Sequence, residues 1–129
     1  MSKQEKPRLK IIFVAGPYFG DGSYNMIDQN IRDAEAFQIA LVNRGIHCFC
    51  AHNHTNHFEV KAKASEIFYK AFDTEVLRIL CDAVLAMPRW KESSGARDEI
   101  KWAEENNVPI FFPKSSEDLD EIEHWFKET

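Results

Sequence analysis

The sequence has few cysteines and no long apolar run, and each absence excludes a class of protein. The three cysteines are an odd number and form no C-x-x-C pair, so we expect buried free thiols in a reducing compartment. No stretch is long and apolar enough for a transmembrane helix, and no apolar signal segment opens the chain. We therefore expect a soluble, cytoplasmic protein without a membrane partner.

The chain also lacks a block of basic residues. Acidic residues outnumber basic ones, 21 to 16, and no cluster of lysine and arginine could follow a phosphate backbone, which argues against polymeric nucleic acid as a partner. There is no internal repeat, low-complexity tract or linker. A length of 129 residues with a hydrophobic fraction of 44% predicts a single domain over residues 1–129.

Short apolar runs alternate with helical patterns along the chain. The runs that predict strands are Leu9–Ala15, His47–Ala51, Ala83–Met87 and Val108–Phe112. The helical patterns are Asn25–Arg44, Glu59–Cys81, the segment that carries Glu99 and Trp102, and Ser115–Thr129. This alternation predicts a three-layer, flavodoxin-like α/β fold: an open parallel sheet of about four or five strands, in the order 2-1-3-4, with helices on both faces.

Three loops should meet at the carboxyl edge of this sheet, Gly16–Gly22, His52–His57 and Arg89–Gly95. In open α/β sheets the ligand binds at this edge, where the strand order reverses. The glycine loop fits neither the dinucleotide fingerprint nor a P-loop. The three histidines of the second loop lack a further ligand pattern, so we expect a polar loop at the mouth of the site, with no metal and no cofactor.

Acidic residues near these loops are candidates for chemistry. Glu99 lies about one turn into its helix, where the helix dipole should keep it ionised, and an immobile carboxylate beside a ligand loop is a candidate nucleophile. The alternative is that Glu99 only complements the dipole. Asp73 is either an ordinary solvated acid or part of the site. Asp82, at a helix-to-strand junction, has a turn role as its first interpretation.

Aromatic and polar loop residues offer ways to bind a ligand. Trp90, Phe19 or Tyr18 could stack on a flat ring, although Trp90 is equally typical of a partly buried loop aromatic. The N–H groups around Ser93 to Ala96, helped by Arg97, could hold a phosphate, since a cation near a helix start is either solvated or bound to an anion.

Several of these residues together resemble the nucleoside 2-deoxyribosyltransferase superfamily. The matching residues are Gly16-Pro17-Tyr18, Asp73, Asp82 and Trp90-x-x-Ser93-Ser94-Gly95-Ala96-Arg97-x-Glu99. The resemblance covers nearly the whole chain and is to the short uncharacterised branch, which is also similar to deoxynucleotide N-hydrolases. It implies cleavage of the N-glycosidic bond between a purine or pyrimidine and deoxyribose, with the sugar passed to a second base or to water.

The resemblance also implies roles for individual residues. Glu99 would be the nucleophile that forms a glycosyl ester, Asp73 the acid that contacts the leaving base or the sugar, and Tyr18 an aromatic hydroxyl near the nucleophile. Ser93 and Gly95 match a 5′-phosphate loop, although the hydrolase branch has glycine where this chain has Arg97. The residues and the resemblance together give the other substrate-binding candidates, which are Gly16, Pro17, Phe19, Gly20, Asp82, Trp90, Ser94 and Arg97.

Two alternative functions remain open at this point. The first is a non-catalytic nucleotide-binding or regulatory module on the same fold, and the second is an NAD-type glycohydrolase. The resemblance, with the aromatics Trp125 and Phe126 near the chain end, also implies a homo-oligomer, either a dimer or a tetramer.

Overall fold

In the residues that the computed structural model describes, 9–54 and 57–128, four short strands form one open parallel sheet. The strands are β1 (Ile12–Ala15), β2 (Cys48–Cys50), β3 (Ala83–Ala86) and β4 (Ile110–Phe111). Their order is β2-β1-β3-β4, and every pairing is parallel. The predicted α/β fold and strand order are therefore confirmed. The first eight residues, where a signal segment was judged absent, lie outside the described part of the chain.

Helices cover both faces of the sheet. They are α1 (Tyr24–Asn43), α2 (Ala51–His54), α3 (Phe58–Lys61), α4 (Glu66–Leu80), α5 (Ser94–Glu105) and α6 (Asp120–Lys127). Because successive strand residues point to opposite faces, Ile12 and Leu85 pack with α1 and α6. Phe13 and Val84 pack on the other face with α4 and α5. The two central strands, β1 and β3, are buried on both faces, as their nearly continuous apolar runs predict, whereas the edge strands β2 and β4 are only partly buried.

The register of β1 against β3 brings two loops into contact. Ala15 pairs with Ala86, and the N–H of Met87 donates to the carbonyl oxygen of Ala15 at 2.8 Å. Gly16 and Met87 therefore leave the sheet side by side. A Cβ atom on Gly16 would lie 2.4 Å from Sδ of Met87, so a side chain here would push the two loops apart.

Replacing Gly16 with alanine is therefore expected to destabilise the protein by about 1–3 kcal/mol, the usual cost of overpacking a filled site. Gly95→Ala is the matched control, because the nearest atom to its new Cβ would be Ser93 Oγ at 3.9 Å. Urea unfolding of both variants measures the difference. Equal stability of the two variants would contradict the close approach of the loops.

The single long helix predicted over Glu59–Cys81 is wrong. The chain forms α3, continues in extended conformation at Ala62 (φ −126°, ψ 166°) and begins α4 at Glu66. Ser65 caps the new helix, because its side chain accepts a hydrogen bond from the N–H of Phe68. A serine cap inside an apolar pattern was the signal for this break.

The break also changes which side chains of the segment are buried. The pattern predicted a core-facing stripe along it, but in α4 only Leu77 is buried, while Ile67, Phe68 and Leu80 are exposed. An exposed apolar side of α4 leaves room for a second copy of the chain, and the homo-oligomer stays a prediction.

The closing helix is shorter than predicted but docks on the sheet as expected. Ser115 and Asp118, which suggested a helix cap, form a turn in which the N–H of Asp118 donates to the Ser115 carbonyl oxygen at 3.1 Å, and α6 begins at Asp120. Ile122 is buried, and Trp125 and Phe126 pack partly buried against the same core. The two aromatics are therefore partly buried and not fully exposed, and their part in pairing with a second copy stays a prediction.

Two expectations from composition can be compared with the structure. None of the three cysteines forms a disulfide; Cys50 and Cys81 are buried and Cys48 is partly buried. Burial raises the pKa of the Cys50 thiol to about 11, which keeps it protonated and unreactive. None of the helices in the described ranges combines the length and the apolar character of a membrane span.

Candidate active site

A cavity of about 550 Å³ lies at the carboxyl edge of the sheet. The loops that follow β1, β2 and β3 all contribute to its wall, and α4 and α5 close one side with Tyr69, Asp73 and Glu99. The strand order reverses between β1 and β3, so the cavity occupies the position where open parallel sheets bind their ligands.

Most of the residues proposed from the sequence line this cavity. Ten of them do: Gly16, Pro17, Tyr18, Phe19, Gly20, Asp73, Ser93, Ser94, Gly95 and Glu99. They come from three separate segments of the chain, and the fold brings these segments together. Asp82, Trp90 and Arg97 do not line the cavity.

Asp82 lies at the opposite edge of the sheet. Its carboxylate accepts a hydrogen bond from the N–H of Ile11 at 2.9 Å, and its own N–H donates to the Ile11 carbonyl oxygen at 2.7 Å. Both contacts tie the start of β3 to the start of β1. The turn role suggested by its position is therefore the one that the structure supports, and Asp82 does not line the cavity to which the sequence assigned it.

Trp90 and Arg97 face away from the cavity as well. Trp90 packs partly buried against the core, with its ring 5.9 Å from that of Phe112. Arg97 is exposed, and its guanidinium donates to the carbonyl oxygen of Lys91 at 2.6 Å. Trp90 is thus the loop aromatic of the alternative interpretation, and Arg97 stabilises the turn before α5.

The carboxyl group of Glu99 is protonated more readily than expected. Burial, together with a smaller effect of the nearby charge of Asp73, raises its pKa to about 8, while Lys70 opposes the shift. Glu99 is the sixth residue of α5, beyond the first turn where the helix dipole acts strongly. The prediction that the dipole keeps Glu99 ionised is therefore wrong.

Asp73 faces Glu99 from α4 and is no ordinary solvated acid. Burial raises its pKa to about 6, with His54 opposing the shift. Its Oδ1 atom is shut off from solvent and has no hydrogen-bond partner among the described residues. Because the two carboxyl groups interact, they titrate as a pair, and near neutral pH they hold about one proton between them.

The start of α5 supplies backbone donors to the cavity wall. The Ser93 hydroxyl caps the helix by accepting from the N–H of Ala96 at 3.1 Å. Ser94 and Gly95 precede Ala96 in the first turn, where N–H groups have no partner within the helix. These two groups suit an anionic or carbonyl oxygen of a ligand.

Tyr18 also lies on the cavity wall, but its hydroxyl is already engaged. It donates to Oε1 of Glu59 at 2.5 Å and accepts from the N–H of His57 at 2.9 Å. Burial and the Glu59 carboxylate raise the pKa of Tyr18 well above its ordinary value. The hydroxyl is therefore a fixed, neutral group held towards α3.

The histidines after β2 hold the loops in place and lie deeper than predicted. His52 is buried, burial lowers its pKa, and Nε2 lies 2.6 Å from the carbonyl oxygen of Pro17, so the neutral ring donates there. His57 is buried under a stacked Tyr24 ring at 4.2 Å, with Nε2 2.9 Å from Oδ1 of Asp28. Within the described ranges, no three potential ligands lie close enough to hold a metal ion.

Sequence reasoning missed several residues of the cavity. They are Phe58, Glu59, Glu66, Tyr69, Lys70, Arg89 and Glu92. Tyr69 had a readable signal, because it stands four residues before Asp73 and so shares its helix face. Arg89 begins the third predicted loop, but nothing in the sequence singled out its side chain, and its backbone takes a left-handed conformation (φ 68°) after β3.

The fold and the cavity together define an α/β domain with a ligand site at the switch point of its parallel sheet. The chain belongs to the family described as Domain of unknown function (DUF1937), whose model matches residues 10–114. The matched range contains all four strands and every residue that lines the cavity. Comparison with curated proteins finds no match.

Proposed function

We propose that this protein cleaves or transfers at the N-glycosidic bond of a deoxynucleoside or deoxynucleoside 5′-monophosphate through a covalent glycosyl ester on Glu99. One observation carries the proposal: Asp73 and Glu99, on different helices, line the same cavity and both have raised pKa values. Cleavage of a sugar C–N bond needs a carboxylate and a proton donor of this kind. The resemblance to deoxyribosyltransferases supports the assignment.

Asp73 and Glu99 share a proton, so the pair can reach the protonation state that the reaction needs. The form with Asp73 protonated and Glu99 ionised has the same net charge as the form with the proton on Glu99, so reaching it needs no proton from solvent. In that form a Glu99 oxygen bonds to the anomeric carbon. The C–N bond breaks, its electron pair goes to the base, and the base takes the proton from Asp73. Water or a second base then gives up a proton to Asp73 and displaces Glu99 from the sugar, which restores the starting protonation of the pair.

The charge around the cavity favours this transition state. Five acidic side chains line the wall, Glu59, Glu66, Asp73, Glu92 and Glu99, against two basic ones, Lys70 and Arg89. Cleavage develops positive charge on the sugar ring, and fixed negative charge around a partly closed site stabilises it. A deoxyribose also forms this cation more readily than a ribose, because it lacks the electron-withdrawing 2′-hydroxyl.

A 5′-phosphate would be held by Arg89 together with the N–H groups of Ser94 and Gly95. Arg89 lines the cavity beside these residues, and its ion pair with Glu92 at 3.3 Å is solvent-exposed, so it can exchange partners at little cost. Arg97, the cation that the sequence suggested for this role, lies outside the cavity wall.

Replacing Arg89 with glutamine is expected to raise KM for deoxynucleoside 5′-monophosphates by about tenfold, the usual loss of one charge-assisted hydrogen bond. KM for the unphosphorylated deoxynucleosides should stay the same. Arg97→Gln is the matched control and should change neither value. If Arg97→Gln raises KM for the monophosphates more than Arg89→Gln does, the assignment of the 5′-phosphate to Arg89 is wrong.

The proposal as a whole is tested with a panel of deoxynucleosides and their 5′-monophosphates, with and without a second free base, and released base is followed by chromatography. Release without an acceptor base indicates hydrolysis, and release that depends on one indicates transfer. Binding of nucleotides with no release from any substrate contradicts the proposal and favours the non-catalytic module. NAD is assayed beside this panel, and release of nicotinamide from NAD without base release from any deoxynucleoside or monophosphate favours the glycohydrolase.

A further inference from the structure

Tyr69 and Asp73 stand four residues apart on α4 and line the same cavity. The hydroxyl oxygen of Tyr69 and Oδ1 of Asp73 are both closed to solvent, and neither has a hydrogen-bond partner within the described part of the chain. Buried polar groups are nearly always hydrogen-bonded. The two unpartnered atoms belong to side chains that line one cavity, and a ligand bound beside them is the source of partners that the described residues do not provide.

The Tyr69 ring is held in one orientation. It makes edge-to-face contacts with Phe58 (centroids 6.1 Å apart, planes at 77°) and with Phe68 (5.4 Å, 84°). Such pairs favour a defined ring geometry, so the hydroxyl cannot swing out to water without losing both contacts. A hydroxyl fixed before the ligand arrives costs little to order on binding, which makes it effective in recognition.

We propose that the Tyr69 hydroxyl recognises the exocyclic 6-oxygen or 6-amine of a purine, beside the ring nitrogen N7 that takes the proton from Asp73. This inference rests on the proposed function. A phenol can both donate and accept, so it fits either substituent, whereas a purine without one leaves it unpaired. Purines have N7 free beside position 6, whereas uracil and thymine have no free ring nitrogen, and cytosine, with N3 free beside its 4-amine, is the one pyrimidine that could take the same proton.

The test combines a protein change with a ligand change. Tyr69→Phe removes only the hydroxyl, and the ligands are hypoxanthine and adenine, which have a 6-substituent, and unsubstituted purine, which has none. Calorimetry gives their affinities, and free bases have no glycosidic bond to cleave. The variant is expected to bind hypoxanthine or adenine about tenfold more weakly and purine equally well. Tyr24→Phe, at an exposed ring outside the cavity wall, is the control and should bind all three normally.

Equal losses for all three bases, no loss for any, or no binding of purines to the unchanged protein would each overturn this inference. The same variants are assayed for base release from deoxynucleosides. If Tyr69 discriminates between the bases but no base is released from any deoxynucleoside, the proposed cleavage is wrong and the recognition of the purine by Tyr69 is retained. Release that does not depend on Tyr69 would remove only the present inference.

Discussion

Replacing Glu99 with glutamine is expected to lower the rate of base release by about 10³-fold or more, the scale of loss found when a covalent nucleophile is removed. Glutamine keeps the size of the side chain but cannot form a glycosyl ester. Because the residue lines the cavity without supporting the sheet, the variant should fold normally. Chromatography of released base under single-turnover conditions measures the chemical step itself.

Glu105→Gln is the matched control for this experiment. It makes the same chemical change on the same helix at an exposed position, and we expect normal activity. Activity of Glu99→Gln within about tenfold of the unchanged protein would show that Glu99 is not the nucleophile. Loss of activity in both variants would instead indicate general damage to α5.

The same Glu99→Gln substitution is also expected to make the protein more stable than the unchanged protein at alkaline pH. Burial raises the pKa of Glu99 in the folded protein to about 8, from an ordinary value of 4.5. The protonated form is therefore favoured by folding. The stability that protonation contributes is fully present below pH 4.5 and is lost as the pH rises through 8.

Glutamine cannot ionise, so the variant escapes this loss. At pH 9 we expect it to exceed the unchanged protein by about 3 kcal/mol in free energy of unfolding, and at pH 4 the two should be nearly equal. Urea unfolding at both pH values measures the difference. The same gain at both pH values would show that Glu99 is not a buried, titrating carboxyl. A variant that is more stable but inactive is typical of an active-site residue.

The sheet and its site could be predicted because their signals are local or topological. Unbroken apolar runs such as Ile11–Ala15 predict strands buried on both faces, and alternation with helices leaves few arrangements of a parallel sheet. The order β2-β1-β3-β4 then brings the loop after β1 beside the loop after β3. That adjacency predicts that the Gly16 loop and the loop before Glu99 are neighbours, and both residues line the cavity.

The remaining errors concern properties that depend on surroundings distant in the sequence. Asp82 and Trp90 belong to the motifs that carry the resemblance. In the structure, however, the Asp82 carboxylate accepts a hydrogen bond from Ile11 and Trp90 packs against the core. The pKa of Glu99 is set by burial and by Asp73, which is 26 positions away in the sequence. The dipole argument considered only the helix of Glu99. The mutual effect of two carboxyl groups on their pKa values can be inferred only when the packing of α4 against α5 is known.

The covalent glycosyl ester is the central claim, and one measurement tests it most directly. A 2′-deoxy-2′-fluoro-arabinosyl nucleoside forms the ester but slows its breakdown, because fluorine disfavours the oxocarbenium-like transition state. Peptide mass spectrometry of the treated protein should find the fluorosugar on the peptide that contains Glu99, and not in the Glu99→Gln variant. Base release from the natural deoxynucleoside with no sugar on that peptide, or with the sugar on Asp73 instead, would contradict the account.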